Sequence, residues 1–115
     1  MATTEECRAA LDRLSERMGE AEGDLRAAAS PPRSVSCHIT DLDLTFAGRM
    51  ADGGIEVRET LPGPPRRRAD IRLAMTGDDL VALVDGELHF ARAWGSGRVR
   101  LEAGLRDLFR LRKLL

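Results

Sequence analysis

The chain has 115 residues and a mass of 12.6 kDa, the length of one domain. Area scaling gives roughly 18,000 Å² unfolded and roughly 6,000 Å² folded, so a core without disulfides is feasible. Eighteen basic and nineteen acidic side chains leave a net charge of −1, and the only aromatic residues are Phe46, Phe90, Trp94 and Phe109, which excludes the basic face and stacking platforms of a dedicated nucleic-acid binder.

Cys7 and Cys37 fall at no metal or redox spacing, and the first residues lack the basic start and apolar run of a signal peptide. No stretch approaches the ~18 apolar residues of a membrane span. These features predict a soluble protein in a reducing, cytoplasmic setting.

Thr3 and Glu6 stand at capping-box spacing, so a helix is expected to begin there. Cys7, Leu11, Leu14, Met18, Ala21, Leu25 and Ala28 then step by four and three along one face to about Ala29, and Pro31 and Pro32 end the helix. This stripe over residues 1–30 predicts packing on the domain, with a homodimer seam as the other use of the same face.

From Arg33 the period falls to two. Val35, Cys37 and Ile39 alternate with polar residues, and Leu42, Leu44, Phe46, Gly48 and Met50 repeat the pattern, which predicts two strands. Asp52, Gly53 and Gly54 form a turn signal before a third strand marked by Ile55, Val57 and Leu61. The run from Pro62 to Arg68 can be neither helix nor central strand, and it leads into a fourth strand with Ile71, Leu73 and Met75.

Thr76 with Asp79 predicts an N-terminal cap for a short helix from Gly77 to Asp85, and Gly86 supplies its C-terminal turn. Residues 88–94 predict a second short helix, and 98–102 a fifth strand with Val99 and Leu101 facing inward. A last helix over 104–115 spreads its apolar side chains over about 220°, wider than the roughly 100° arc a surface helix needs, so something beyond the sheet is expected to cover it.

Several local sequences in this half carry a resemblance: Ala69-Asp70-Ile71 opening a strand, Met75-Thr76-Gly77-Asp78-Asp79-Leu80 at the junction with the helix, Asp85-Gly86-Glu87-Leu88, then Ala91, Ala93 and Trp94, and finally Gly97-Arg98-Val99-Arg100-Leu101-Glu102. In this order they resemble the sterol-carrier-protein type 2 domain family. The resemblance covers about 47 residues closely, from Ala69 to Leu115; one departure is Ala103 standing before Gly104.

The resemblance implies an α+β fold, a five-stranded, twisted, mainly antiparallel sheet with helices packed on one face. It further implies a single domain over residues 1–115, in which 33–115 form the sheet and cavity-forming helices. The implied function is non-catalytic binding, extended to transfer, of a hydrophobic lipid: fatty acid, fatty acyl-CoA, sterol or phospholipid. Leu80, Leu83, Val84, Leu88, Trp94, Leu105, Leu108, Phe109 and Leu111 are the expected ligand contacts, chosen for apolar placement. The alternative is a small protein-interaction or dimerisation module without a lipid ligand.

Catalysis finds little support. Cys37 and His38 are strand neighbours and point to opposite faces, so the imidazole is badly placed to activate the thiol. Asp78 and Asp79 suit the positive end of a helix rather than an acid–base pair. With His89 the only other histidine, no metal-ligand spacing appears, and neither metal nor cofactor is expected. Arg66, Arg67 and Arg68 read either as a solvated charge run or as a contact for a lipid headgroup or membrane surface.

Overall fold

The computed structural model describes residues 1–20, 33–51 and 54–104. Five strands, β1 (Arg33–Ile39), β2 (Leu44–Ala51), β3 (Gly54–Pro62), β4 (Ile71–Met75) and β5 (Arg100–Ala103), form one sheet in the order β3-β2-β1-β4-β5. Neighbours are antiparallel except β1 and β4, which run parallel with Val35 opposite Ile71 and Ile39 opposite Met75. Helices α1 (Thr4–Glu20), α2 (Gly77–Asp85) and α3 (Phe90–Gly95) complete the described elements. The expected end of the first helix near Ala29 and the expected last helix lie outside the described residues.

The alternation of β1 sends Val35, Cys37 and Ile39 to one face, where they are buried with Phe46, Met50, Ile71 and Met75. Cys7, Ala10 and Leu11 of α1 and Leu80 and Val84 of α2 close over that face. Side-chain capping sets where α1 and α2 begin. Glu6 N donates to Thr3 Oγ1 and Thr3 N donates to Glu6 Oε1, both at 3.1 Å, and Asp79 N donates to Thr76 Oγ1 at 3.2 Å. Cys7 and Leu11 are spent on the domain's own core, which leaves those two positions no free area for a second helix.

Two expectations for the strands need correction. The second strand begins at Leu44 rather than Leu42, because residues 40–43 turn, with Asp43 at φ 47°. Asp tolerates that left-handed conformation better than most residues, and its carboxylate meets His38 Nε2 at 3.2 Å. In β3, Val57 pairs with Gly48 and Glu59 with Ala47, so Arg58 is an extra residue. This bulge turns Leu61 towards Thr45, onto the face opposite Val57. Gly48 faces the same irregularity: a Cβ built there would stand 1.9 Å from the Glu56 carbonyl oxygen. At the sheet edge, Ile55 N donates outward to Ser15 Oγ of α1 at 2.9 Å, which occupies a donor that would otherwise invite another strand.

Residues 63–70 return the chain from β3 to β4, which point the same way with β2 and β1 between them. The crossing covers three strand spacings sideways and about four residues along the strands, roughly 20 Å. Eight helical residues would span only about 12 Å, whereas an extended segment reaches it easily, which fits the proline-rich composition. Its ends fix which face it crosses. Thr45 Oγ1 donates to Gly63 O at 2.8 Å, Asp70 N donates to Ser34 Oγ at 2.8 Å, and Arg72 Nη1 donates to Ala69 O at 2.9 Å. Thr45, Ser34 and Arg72 all point away from the helices, so the segment straps the outer face. On that face Ser36 and Thr45 are only 2% and 1% exposed.

The Asp70 carboxylate accepts from Ser34 N at 3.0 Å and from Ser34 Oγ at 3.1 Å. The Ser34 amide, then its hydroxyl, hold the Asp70 carboxyl below its usual value of 3.8, and Arg33 and Arg49 add to the effect. A depressed folded value means that the contribution to stability is complete above the unfolded value and is lost as pH falls through the folded one. Asp70→Asn is therefore expected to flatten the acid limb of the melting temperature below about pH 4. Thermal melts across that range check this; an acid limb as steep as in the parent would assign the sensitivity to other carboxylates.

Candidate functional site

The helix layer over the sheet is the place where apolar side chains converge. On α2, Leu80 and Val84 are one turn apart and face the sheet, 3% and 2% exposed, while Val81 and Leu83 are half-buried beside them. Gly86, at φ 81°, ends the helix in the left-handed region that its lack of a Cβ makes accessible. The bond from Leu88 N to Ala82 O, 3.1 Å, then folds Leu88 back onto the same cluster.

On α3 the small Ala93 is buried, and the larger side chains flank it: Phe90 half-buried and Trp94 42% exposed. Their rings are tilted at 51° with centroids 6.2 Å apart. Phe90 was not among the expected contacts; its spacing of four from Trp94 on a short helix is the signal that pairs them.

Polar groups frame this layer from outside. Arg13 meets Asp85 at 2.7 Å, joining α1 to the end of α2, and Arg98 meets Asp79 at 2.5 Å. Ala2 N donates to Asp78 Oδ1 at 2.7 Å and Gly77 N donates to Asp41 Oδ1 at 2.9 Å, so the start of α2 is also held. The two aspartates expected at a helix start thus take partners from the N-terminal segment and from the lead-in to β5.

Within the cluster the ionisable groups are the thiols. Burial, then the nearby carboxylates of Asp41, Glu6 and Asp78, push Cys7 up to about 11; burial, then Cys7, push Cys37 up to about 12. Both stay protonated at neutral pH and are poor nucleophiles. His38, on the opposite face from Cys37, is engaged with Asp43. Among the described residues no three His, Cys, Asp or Glu side chains are grouped to hold a metal ion. What the layer offers chemically is apolar contact.

The expected contacts therefore divide. Leu80 and Val84 form the floor of the layer, Leu83 and Leu88 its half-buried rim, and Trp94 its exposed margin. Leu105, Leu108, Phe109 and Leu111 lie outside the described residues. Arg66, Arg67 and Arg68 are exposed on the strap across the other face of the sheet, so the sheet itself separates them from the apolar layer. Among the described residues no helix is long and apolar enough to cross a membrane.

No protein-family profile and no curated protein sequence matches the chain. Solved structures do. The sterol carrier protein domain 2 of Helicoverpa armigera superposes with a TM-score of 0.67 at 13% identity, covering 98% of this chain and 89% of that one. Sterol carrier protein 2 like 2 from Aedes aegypti gives 0.62 at 10% identity, over 96% and 97% of the two chains. The inverting sec-alkylsulfatase Pisa1 from Pseudomonas sp. gives 0.56 at 21% identity over 80% of this chain, which spans only 15% of that enzyme's length. The mixed five-stranded sheet and its helix layer are accordingly those of the sterol-carrier-protein type 2 fold.

Proposed function

We propose that the chain binds a long-chain lipid without covalent chemistry, in the apolar layer between α2, α3 and the sheet, and can pass it on. The observation that carries this reading is a set of half-buried apolar side chains packed against a sealed part of the core. Val81, Leu83, Leu88 and Phe90, with Leu73 from β4, stay partly open while Leu80 and Val84 beneath them are sealed. The fold shared with proteins named as sterol carriers supports it. We include Leu105, Leu108, Phe109 and Leu111 among the contacts on their sequence pattern alone.

Burying about ten methylenes of an acyl chain contributes on the order of 8 kcal/mol, from which the costs of association are subtracted. The net suits micromolar, exchangeable binding. Trp94, the single tryptophan, reports occupancy at the margin of the layer. Delipidated protein titrated with palmitate, palmitoyl-CoA and cholesterol should show a saturable emission shift at micromolar ligand for at least one of them. No shift with any, together with no lipid extracted from freshly purified protein, would reject the carrier reading in favour of a protein-interaction module.

A further inference from the structure

We propose that the strap of residues 63–70 is a docking surface for an anionic lipid bilayer, separate from the apolar layer on the other side of the sheet. Arg66, Arg67 and Arg68 are consecutive and exposed, and among the described residues none of them has a hydrogen bond or ion pair. The carboxylate within the strap, Asp70, is committed to Ser34. Arg33 and Arg49 also stand close enough to Asp70 to favour its charged form, and Arg72 meets Glu102 at 3.4 Å, so the carboxylates at the far end of the strap each have a cation beside them. Pro64 and Pro65 precede the arginines, and both ends are tied to the sheet, so little freedom remains to be lost on docking.

The kind of partner follows from what surrounds these charges. Stable protein interfaces are anchored by large side chains entering pockets, yet the large exposed apolar side chains among the described residues are Met1 and Trp94, neither of them in the strap. Single-stranded nucleic acid needs aromatic platforms, and the strap has no aromatic residue. A bilayer rich in acidic headgroups requires neither anchor nor platform, because each cation near its surface adds attraction independently. Arginine suits this task further, since its guanidinium forks onto phosphate oxygens. Docked this way, the protein lies with its helix layer turned towards solvent: the strap tethers and does not insert. This proposal does not rest on the lipid-carrier reading.

Flotation with vesicles of phosphatidylcholine alone, or enriched in phosphatidylglycerol, tests it. The parent protein should float with the acidic vesicles and not the neutral ones, and should be released as salt shortens the screening length to about 3 Å near 1 M. Replacing Arg66, Arg67 and Arg68 together by Gln should weaken partitioning roughly 100-fold, with an unchanged melting temperature because all three are exposed. The control pair Arg8→Gln and Arg92→Gln, exposed cations on the helix side, should lose far less. Equal loss in the control, undiminished flotation of the triple variant, or binding to polyglutamate without binding to acidic vesicles would each overturn the proposal, the last in favour of an acidic protein partner. The lipid titration followed by Trp94 is read separately, so failure of one proposal leaves the other standing.

Discussion

Gly48→Ala is expected to cost about 4 kcal/mol and to lower the melting temperature by roughly 15 °C. The added Cβ would meet the Glu56 carbonyl oxygen at 1.9 Å and its carbon at 2.8 Å. Both atoms belong to the backbone of the bulged strand, so no side chain can swing away. Relief requires β2 and β3 to part, which breaks the pairing on both sides of Arg58. Against a total stability of about 5–15 kcal/mol, such a loss leaves the domain marginal. Gly95→Ala is the control, because a Cβ there meets nothing within 4 Å; it should shift the melt by no more than a degree or two on the scale of about 0.5 kcal/mol. Similar melts for both variants would mean that the close approach at Gly48 relaxes without cost.

The second large effect separates floor from rim in the helix layer. Leu80→Ala removes a sealed side chain and is expected to cost about 3 kcal/mol, since the cavity left behind adds to the lost transfer free energy. Leu83→Ala removes a half-buried one and should cost about 1 kcal/mol. Their order should reverse in the lipid titration. At a temperature where both are folded, Leu83→Ala should weaken palmitate binding roughly five- to tenfold, whereas Leu80→Ala leaves the rim in place. Urea melts give the first comparison and Trp94 emission the second. If Leu83→Ala leaves a measurable palmitate affinity untouched, the ligand does not lie where we place it.

The features legible in the amino-acid sequence are those set by neighbours a few residues apart. Thr3 with Glu6, Thr76 with Asp79, and Gly86 as a left-handed stop are local arrangements, and each occurs as its spacing implies. Strand alternation showed which of Val35, Cys37, Ile39, Ile71 and Met75 face the core for the same reason. What alternation could not show was anything decided by the opposite strand. The extra residue at Arg58 exists only relative to β2, so the reversal of Leu61 is invisible in β3 alone. The parallel pairing of β1 with β4 and the face crossed by the strap are likewise products of long-range assembly.

The candidate site shows the same division. Apolar character picked out Leu80, Val84, Leu83 and Leu88 together, but only packing distinguishes the sealed pair from the open one. The arginines were legible as a charge run; that the sheet stands between them and the apolar layer was not.

The parallel crossing also bears on how the molecule assembles. β1, β2 and β3 form a meander whose partners lie close along the chain, so it can zip up through short turns. The pairing of β4 with β1 joins residues 36 positions apart, as Ser34 and Asp70 do at the strap's end. Closing that loop costs chain entropy before any contact of β4 repays it. The strap is therefore expected to mark a kinetic seam, with the meander nucleating first and docking of β4 with α2 limiting the folding rate. Disrupting the Ser34–Asp70 clasp would then slow folding, while the early hairpins would form at their usual pace.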